Sequence, residues 1–87
     1  MSRIMDIADI TCMITSRDYK ERFIGEYAEL SIRLERLGSM ISRYQAGTLD
    51  FEPDCPLELL IGQAEAMGEY KAILEKRAIL ENIDLDI

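Results

Sequence analysis

From Phe23 onward the apolar residues fall at Phe23, Tyr27, Leu30, Leu34, Leu37, Ile41 and Tyr44, in alternating steps of four and three. That spacing predicts a helix with a single apolar seam of the coiled-coil kind. Asp18, with Glu21 three residues on, fits a capping box at the start of this helix, and Gly47 fits a left-handed stop at its end. The first long helix is therefore expected over residues 19–45, roughly 40 Å at 1.5 Å per residue.

The segment from Gly47 to Cys55 reads as a loop by its Gly and Pro, with Leu49 and Phe51 spaced to tuck back onto the end of a hairpin. Pro56 stands where a first helical residue belongs, since its missing donor costs nothing there. A second helix is expected from Pro56 to Glu81, ending at Asn82. Its apolar positions form two stripes, Leu57, Leu60, Ala64, Met67 and Leu74 on one and Leu59, Ala66, Tyr70, Ile73 and Leu80 on the next. One partner helix cannot bury both, and an uncovered stripe would aggregate, so a homo-oligomer is expected. In an antiparallel hairpin Gly38 comes roughly opposite Gly62, a pairing that would let the backbones approach closely; otherwise each glycine costs about 1 kcal/mol relative to Ala. The fold class is thus all-α, a long antiparallel helical hairpin assembled into a helical oligomer.

Residues 1–17 read as an N-terminal extension and 18–87 as the hairpin domain. The extension is ambiguous: Ile10, Cys12 and Ile14 alternate like a strand, whereas Ile4, Ile7 and Ala8 fit a helix. The tail from Ile83 to Ile87 also alternates, and could add to an edge or fray.

Composition narrows the classes. A chain of 87 residues makes one domain at most, and 48% hydrophobic with 31% charged residues is too apolar for disorder and too charged for a membrane protein. No apolar run approaches the roughly 18 to 20 residues of a membrane span, and Asp6 and Asp9 interrupt the start before a secretory core could form, so a cytoplasmic protein with no membrane partner is expected. Seventeen acids against ten bases, a formal charge of −7, argue against broad nucleic-acid binding. Cys12 and Cys55 lack the close spacing of a metal or redox motif, and read as buried or idle thiols. The absence of any His removes the commonest general base and metal ligand, so neither a metal nor a cofactor is expected.

The one concentrated chemical feature is an arginine face. At about 100° per residue, Arg22, Arg33, Arg36 and Arg43 share an arc of roughly 80° away from the seam. Arg22 with Glu26, and Glu29 with Arg33, are spaced as i,i+4 pairs that would neutralise the first half. Arg36 and Arg43 have no acid three or four residues away, and with Ser39 between them they form the better anion site, since a guanidinium fork matches phosphate oxygens. The plainer alternative is a solvated charged face. Tyr27 and Tyr44 belong to the seam; Tyr19 is off it, and could stack on a base or an aromatic ring. Glu65 and Glu69 are spaced like an acid–base pair, but no nucleophile or His accompanies them. No catalytic residue is assigned, and the chain is not expected to be an enzyme.

The runs Asp18-Tyr19-Lys20-Glu21-Arg22-Phe23 and Glu26-Tyr27-Ala28-Glu29-Leu30, then Tyr44-Gln45-Ala46-Gly47-Thr48-Leu49-Asp50-Phe51 and Cys55-Pro56-Leu57-Glu58-Leu59-Leu60, carry a resemblance. Across residues 18–85 the chain resembles a family of small phage and prophage proteins named after a crAss-like phage. More distantly, the hairpin is similar in style to phage anti-defence sponges, oligomers that sequester cyclic nucleotide signals of bacterial immunity. The resemblance implies phosphate contacts from a Tyr near a helix start and a basic residue further along, for which Tyr19 and Arg33 or Arg36 stand in comparable places.

The leading expectation is a phage-encoded oligomer that holds a nucleotide signal through Arg36, Arg43, Arg33, Tyr19 and Ser39. The runner-up is an inhibitor that binds a host defence protein through its acidic surface, and the third is a structural helical subunit.

Overall fold

The computed structural model describes residues 7–85. It contains α1 (Ile7–Ile14), α2 (Tyr19–Ala46) and α3 (Leu57–Glu81), with no strand among the described residues. α2 and α3 pack antiparallel as the seam predicted, and α1 packs on the first half of α2. The 28 residues of α2, about 42 Å at 1.5 Å per residue, set the 42 Å long dimension of the molecule.

The ambiguous extension is helical from Ile7; Ile4 lies outside the described residues. Eight residues are too few to hold a helix in water alone, so packing must stabilise it. Ile10 is buried and Met13 packs against the main core. Gly25 permits the contact, because a Cβ there would lie 2.9 Å from Met13 Cβ and 3.0 Å from the Ile14 backbone nitrogen.

The start of α2 differs from the expected capping box. Asp18 Oδ1 accepts from the Lys20 amide at 2.9 Å, but the Glu21 carboxylate accepts from Ser16 Oγ at 2.7 Å. Ser16 Oγ in turn accepts the Asp18 amide at 3.0 Å, so Ser16 takes the place that Glu21 was expected to fill. At the other end Gly47 has φ 74° and directs its amide to the carbonyls of Arg43 and Tyr44, the expected left-handed stop. Pro56 is the cap rather than the first helical residue: its φ of −60° and ψ of 146° are extended, and its carbonyl accepts from Leu59 and Leu60. α3 ends on Asn82 in the left-handed region, at φ 55°.

The core is concentrated at the open end of the hairpin, where Phe23, Ile24, Tyr27 and Leu30 of α2 meet Leu74 and Ala78 of α3. Leu74 is fully buried, at 0% exposure. The tail neither pairs nor frays at its start, since Ile83 joins this core and Leu85 packs against it. Toward the loop the seam thins: Leu34 and Leu37 are half-buried, and Tyr44 is exposed rather than core. Phe51 does not tuck back and is exposed, while Leu49 is half-buried. The expected Gly38–Gly62 approach is absent, because a Cβ at either position would meet nothing within 4 Å. Cys12 and Cys55 are free and exposed rather than buried.

The second stripe of α3 is uncovered. Leu59, Ala66, Tyr70, Ile73 and Leu80 all face solvent, with Leu80 at 83% exposure. Among the described residues, no helix is long and apolar enough to cross a membrane.

Candidate functional site

The arginine face divides along α2 as its local charges dictate. Arg33 Nη2 lies 2.7 Å from Glu29 Oε1, the expected i,i+4 pair. Arg22 does not pair with Glu26 as expected; its Nη1 donates to the Ser16 carbonyl at 3.0 Å and its guanidinium lies 6.0 Å from the Tyr19 ring centre. The Thr15–Asp18 connection brings that carbonyl within reach, so Arg22 braces the α1–α2 turn.

Arg36 and Arg43 make no ion pair among the described residues. With Ile32, Glu35 and Ser39 they line one groove of about 330 Å³ along α2. Three of the five predicted binding residues therefore meet in a single concavity: Arg36, Ser39 and Arg43. A second cleft of about 380 Å³ continues from it between α1 and α2, sharing Ile32 and Arg36 and adding Ile10, Ile14, Glu29 and Arg33. Arg33, held by Glu29, lines this second cleft and not the groove. Glu35 was missed because an acid one position from Arg36 points about 100° away on a helix, which gives no i,i+4 signal. The α1 residues could not be placed, since nothing in their pattern says which face of α2 they cover.

Tyr19 stands elsewhere. It lies 17 residues before Arg36, about 25 Å along the helix axis at 1.5 Å per residue. Its hydroxyl donates to Glu81 Oε1 at 2.5 Å and accepts from Arg77 Nη2 at 3.0 Å. Arg77 Nε also donates to Glu81 Oε2 at 3.2 Å, and its guanidinium covers the Phe23 ring with 5.0 Å to the centre. These contacts, with Lys20 Nζ on the Asn82 carbonyl at 3.3 Å, tie the start of α2 to the end of α3. The Tyr19 bond holds the Glu81 carboxyl below its ordinary range, and the same bond raises the Tyr19 phenol. In this chain Tyr19 fastens the open end and does not reach the arginine groove.

Among the described residues no three potential metal ligands come together. The groove offers two guanidinium forks and a hydroxyl, donors suited to holding an anion, beside the one carboxylate of Glu35, which opposes it. Searches among curated proteins and among solved structures return no match. The family model described as Sequestin matches residues 17–80, from the turn before α2 almost to the end of α3. The match spans both long helices and well over half of the chain, and the protein belongs to the Sequestin family.

Proposed function

We propose that this is a phage-encoded, non-enzymatic anti-defence protein that sequesters a cyclic nucleotide signal of the host's immunity, with the ligand's phosphates on Arg36, Ser39 and Arg43. The observation that carries the reading is the convergence in one groove of two arginines without an acidic partner among the described residues. Their seven-residue separation, about 10.5 Å of helical rise, suits a ligand with more than one phosphate. The family's name speaks of sequestration, and the resemblance to phage sponges supplies the ligand class. The protein acts in the host cytoplasm and uses no cofactor.

The working form is a homo-oligomer, supported by the uncovered stripe Leu59, Ala66, Tyr70, Ile73 and Leu80, which a second copy would cover. The same stripe supports a second reading, in which a host defence protein docks on α3 between its exposed acids Glu58, Glu65 and Glu69. Light scattering at micromolar concentration separates the two: several chains per particle is expected, and a clean monomer favours the host partner.

Thermal shift against a panel of cyclic di- and trinucleotides tests the ligand. A member at 100 times its dissociation constant should add about 2.7 kcal/mol to stability. A panel with no effect on the melt contradicts the nucleotide reading.

A further inference from the structure

The cleft between α1 and α2 is chemically unlike the groove it joins. Ile10, Ile14 and Ile32 give it apolar walls, and its only cations are Arg33, engaged by Glu29, and Arg36, which it shares with the groove. At about 380 Å³ it lies within the roughly 300 to 1,000 Å³ of small-molecule sites, and large enough for a ring system. Its α1 wall also lies outside residues 17–80, so it is not read from family membership.

We infer that this cleft is an apolar subsite continuous with the phosphate groove, and that the bound molecule is an amphipathic anion whose compact ring packs on Ile10, Ile14 and Ile32 while its phosphate is held by Arg36. The inference rests on the reading of Arg36, Ser39 and Arg43 as an anion site. The charge favours this occupant: an uncharged apolar molecule would leave Arg36 unused, and a bare phosphate would leave Ile14 and Ile32 open to water. Continuity with the groove places the ring and the phosphate on one molecule. The side chain at position 25 controls the site, because any Cβ there collides with Met13 Cβ and the Ile14 backbone, and α1 must then move off α2.

The test titrates the full chain with 1-naphthyl phosphate and with methyl phosphate, which share the anion and differ in the ring. Amide chemical shifts follow both, since they read affinities into the millimolar range. The parent should bind 1-naphthyl phosphate at least tenfold more tightly than methyl phosphate. Gly25→Val, which displaces α1, and Ile14→Asp, which charges the wall at a partly exposed position, should each abolish that preference and leave methyl phosphate binding unchanged. Arg36→Gln should weaken both ligands. Equal affinity of the parent for the two ligands overturns the subsite and leaves the groove standing, whereas no binding of either ligand overturns both. A ring preference that survives Gly25→Val and Ile14→Asp also overturns the subsite, as does a preference indifferent to Arg36→Gln. Loss of methyl phosphate binding in Gly25→Val and Ile14→Asp would mean that α1 shapes the groove rather than adding to it, and the inference fails.

Discussion

The two ends of the hairpin are built differently. At the open end Phe23, Tyr27, Leu30, Leu74 and Ala78 interlock, the tail adds Ile83, and Tyr19, Arg77 and Glu81 close the outside with hydrogen bonds. At the loop end Ile41 is buried but Leu34 and Leu37 are half-buried, Tyr44 and Phe51 face solvent, and Arg36 and Arg43 stand without ion pairs among the described residues. The loop half carries Gly38, Gly62 and Gly68 against Gly25 alone at the open end, so the halves differ in helical propensity as well as in what each helix meets. Large side chains face each other at the open end, while Ala64, Gly62 and Gly38 leave space nearer the loop. The packing that stabilises the hairpin is thereby concentrated away from the arginine groove, which can be altered with little effect on the fold.

The largest expected effect is at Leu74. Truncating this fully buried residue to Ala should cost about 2 to 5 kcal/mol, whereas Leu34→Ala, in the half-buried seam, should cost clearly less. Urea melts followed by circular dichroism would show the ranking, and equal losses would remove the contrast between the halves.

Next comes Tyr27, whose hydroxyl donates to Glu75 Oε2 at 2.6 Å. Tyr27→Phe should cost about 1.5 to 3 kcal/mol, the range for a bond to a charged group. Burial, and then the Glu75 bond, pushes the Tyr27 phenol up to about 12 from an ordinary 10. The raised value means that the neutral phenol is favoured in the folded chain, so its stabilisation is complete below pH 10 and is lost as pH rises toward 12. Alkaline melts should fall through that window in the parent and fall less in Tyr27→Phe. Identical pH profiles would show that this phenol is not a closure of the core.

Smaller effects of opposite sign are expected at two glycines. Gly38→Ala fills open space in a helix, and should stabilise by up to about 1 kcal/mol. Gly47→Ala forces a side chain to φ 74°, and should destabilise by about 1 kcal/mol. A destabilised Gly38→Ala would indicate that another chain approaches this face, most simply in the oligomer.

Much of the hairpin was legible because its signals are local. The heptad steps of α2, the Gly47 stop and the Asn82 end depend on residues that are neighbours along the chain. The two stripes of α3 were equally readable, since their separation follows from helix geometry alone. What could not be read depends on distant partners. The helical choice for residues 7–14 is decided by packing on Gly25, and the fate of Ile83 by the core beneath it. Of the site, Arg36, Ser39 and Arg43 were visible as i, i+3 and i+7 on one face. The α1 wall was not, and Tyr19 was grouped with the arginines because nothing in sequence shows that Arg77 and Glu81 occupy its hydroxyl.

The central claim is that the arginine groove binds and does not hold the fold. It is tested most directly by the Arg36→Gln, Arg43→Gln double variant, melted with and without the tightest cyclic nucleotide from the thermal-shift panel and titrated by calorimetry. Surface charges of this kind contribute only about 0 to 1 kcal/mol each to stability, so the ligand-free melt should stay close to the parent's. Each lost contact to phosphate removes about 1.5 to 3 kcal/mol, so affinity should fall at least a hundredfold. Unchanged affinity, or a melt far below the parent's, would contradict the account.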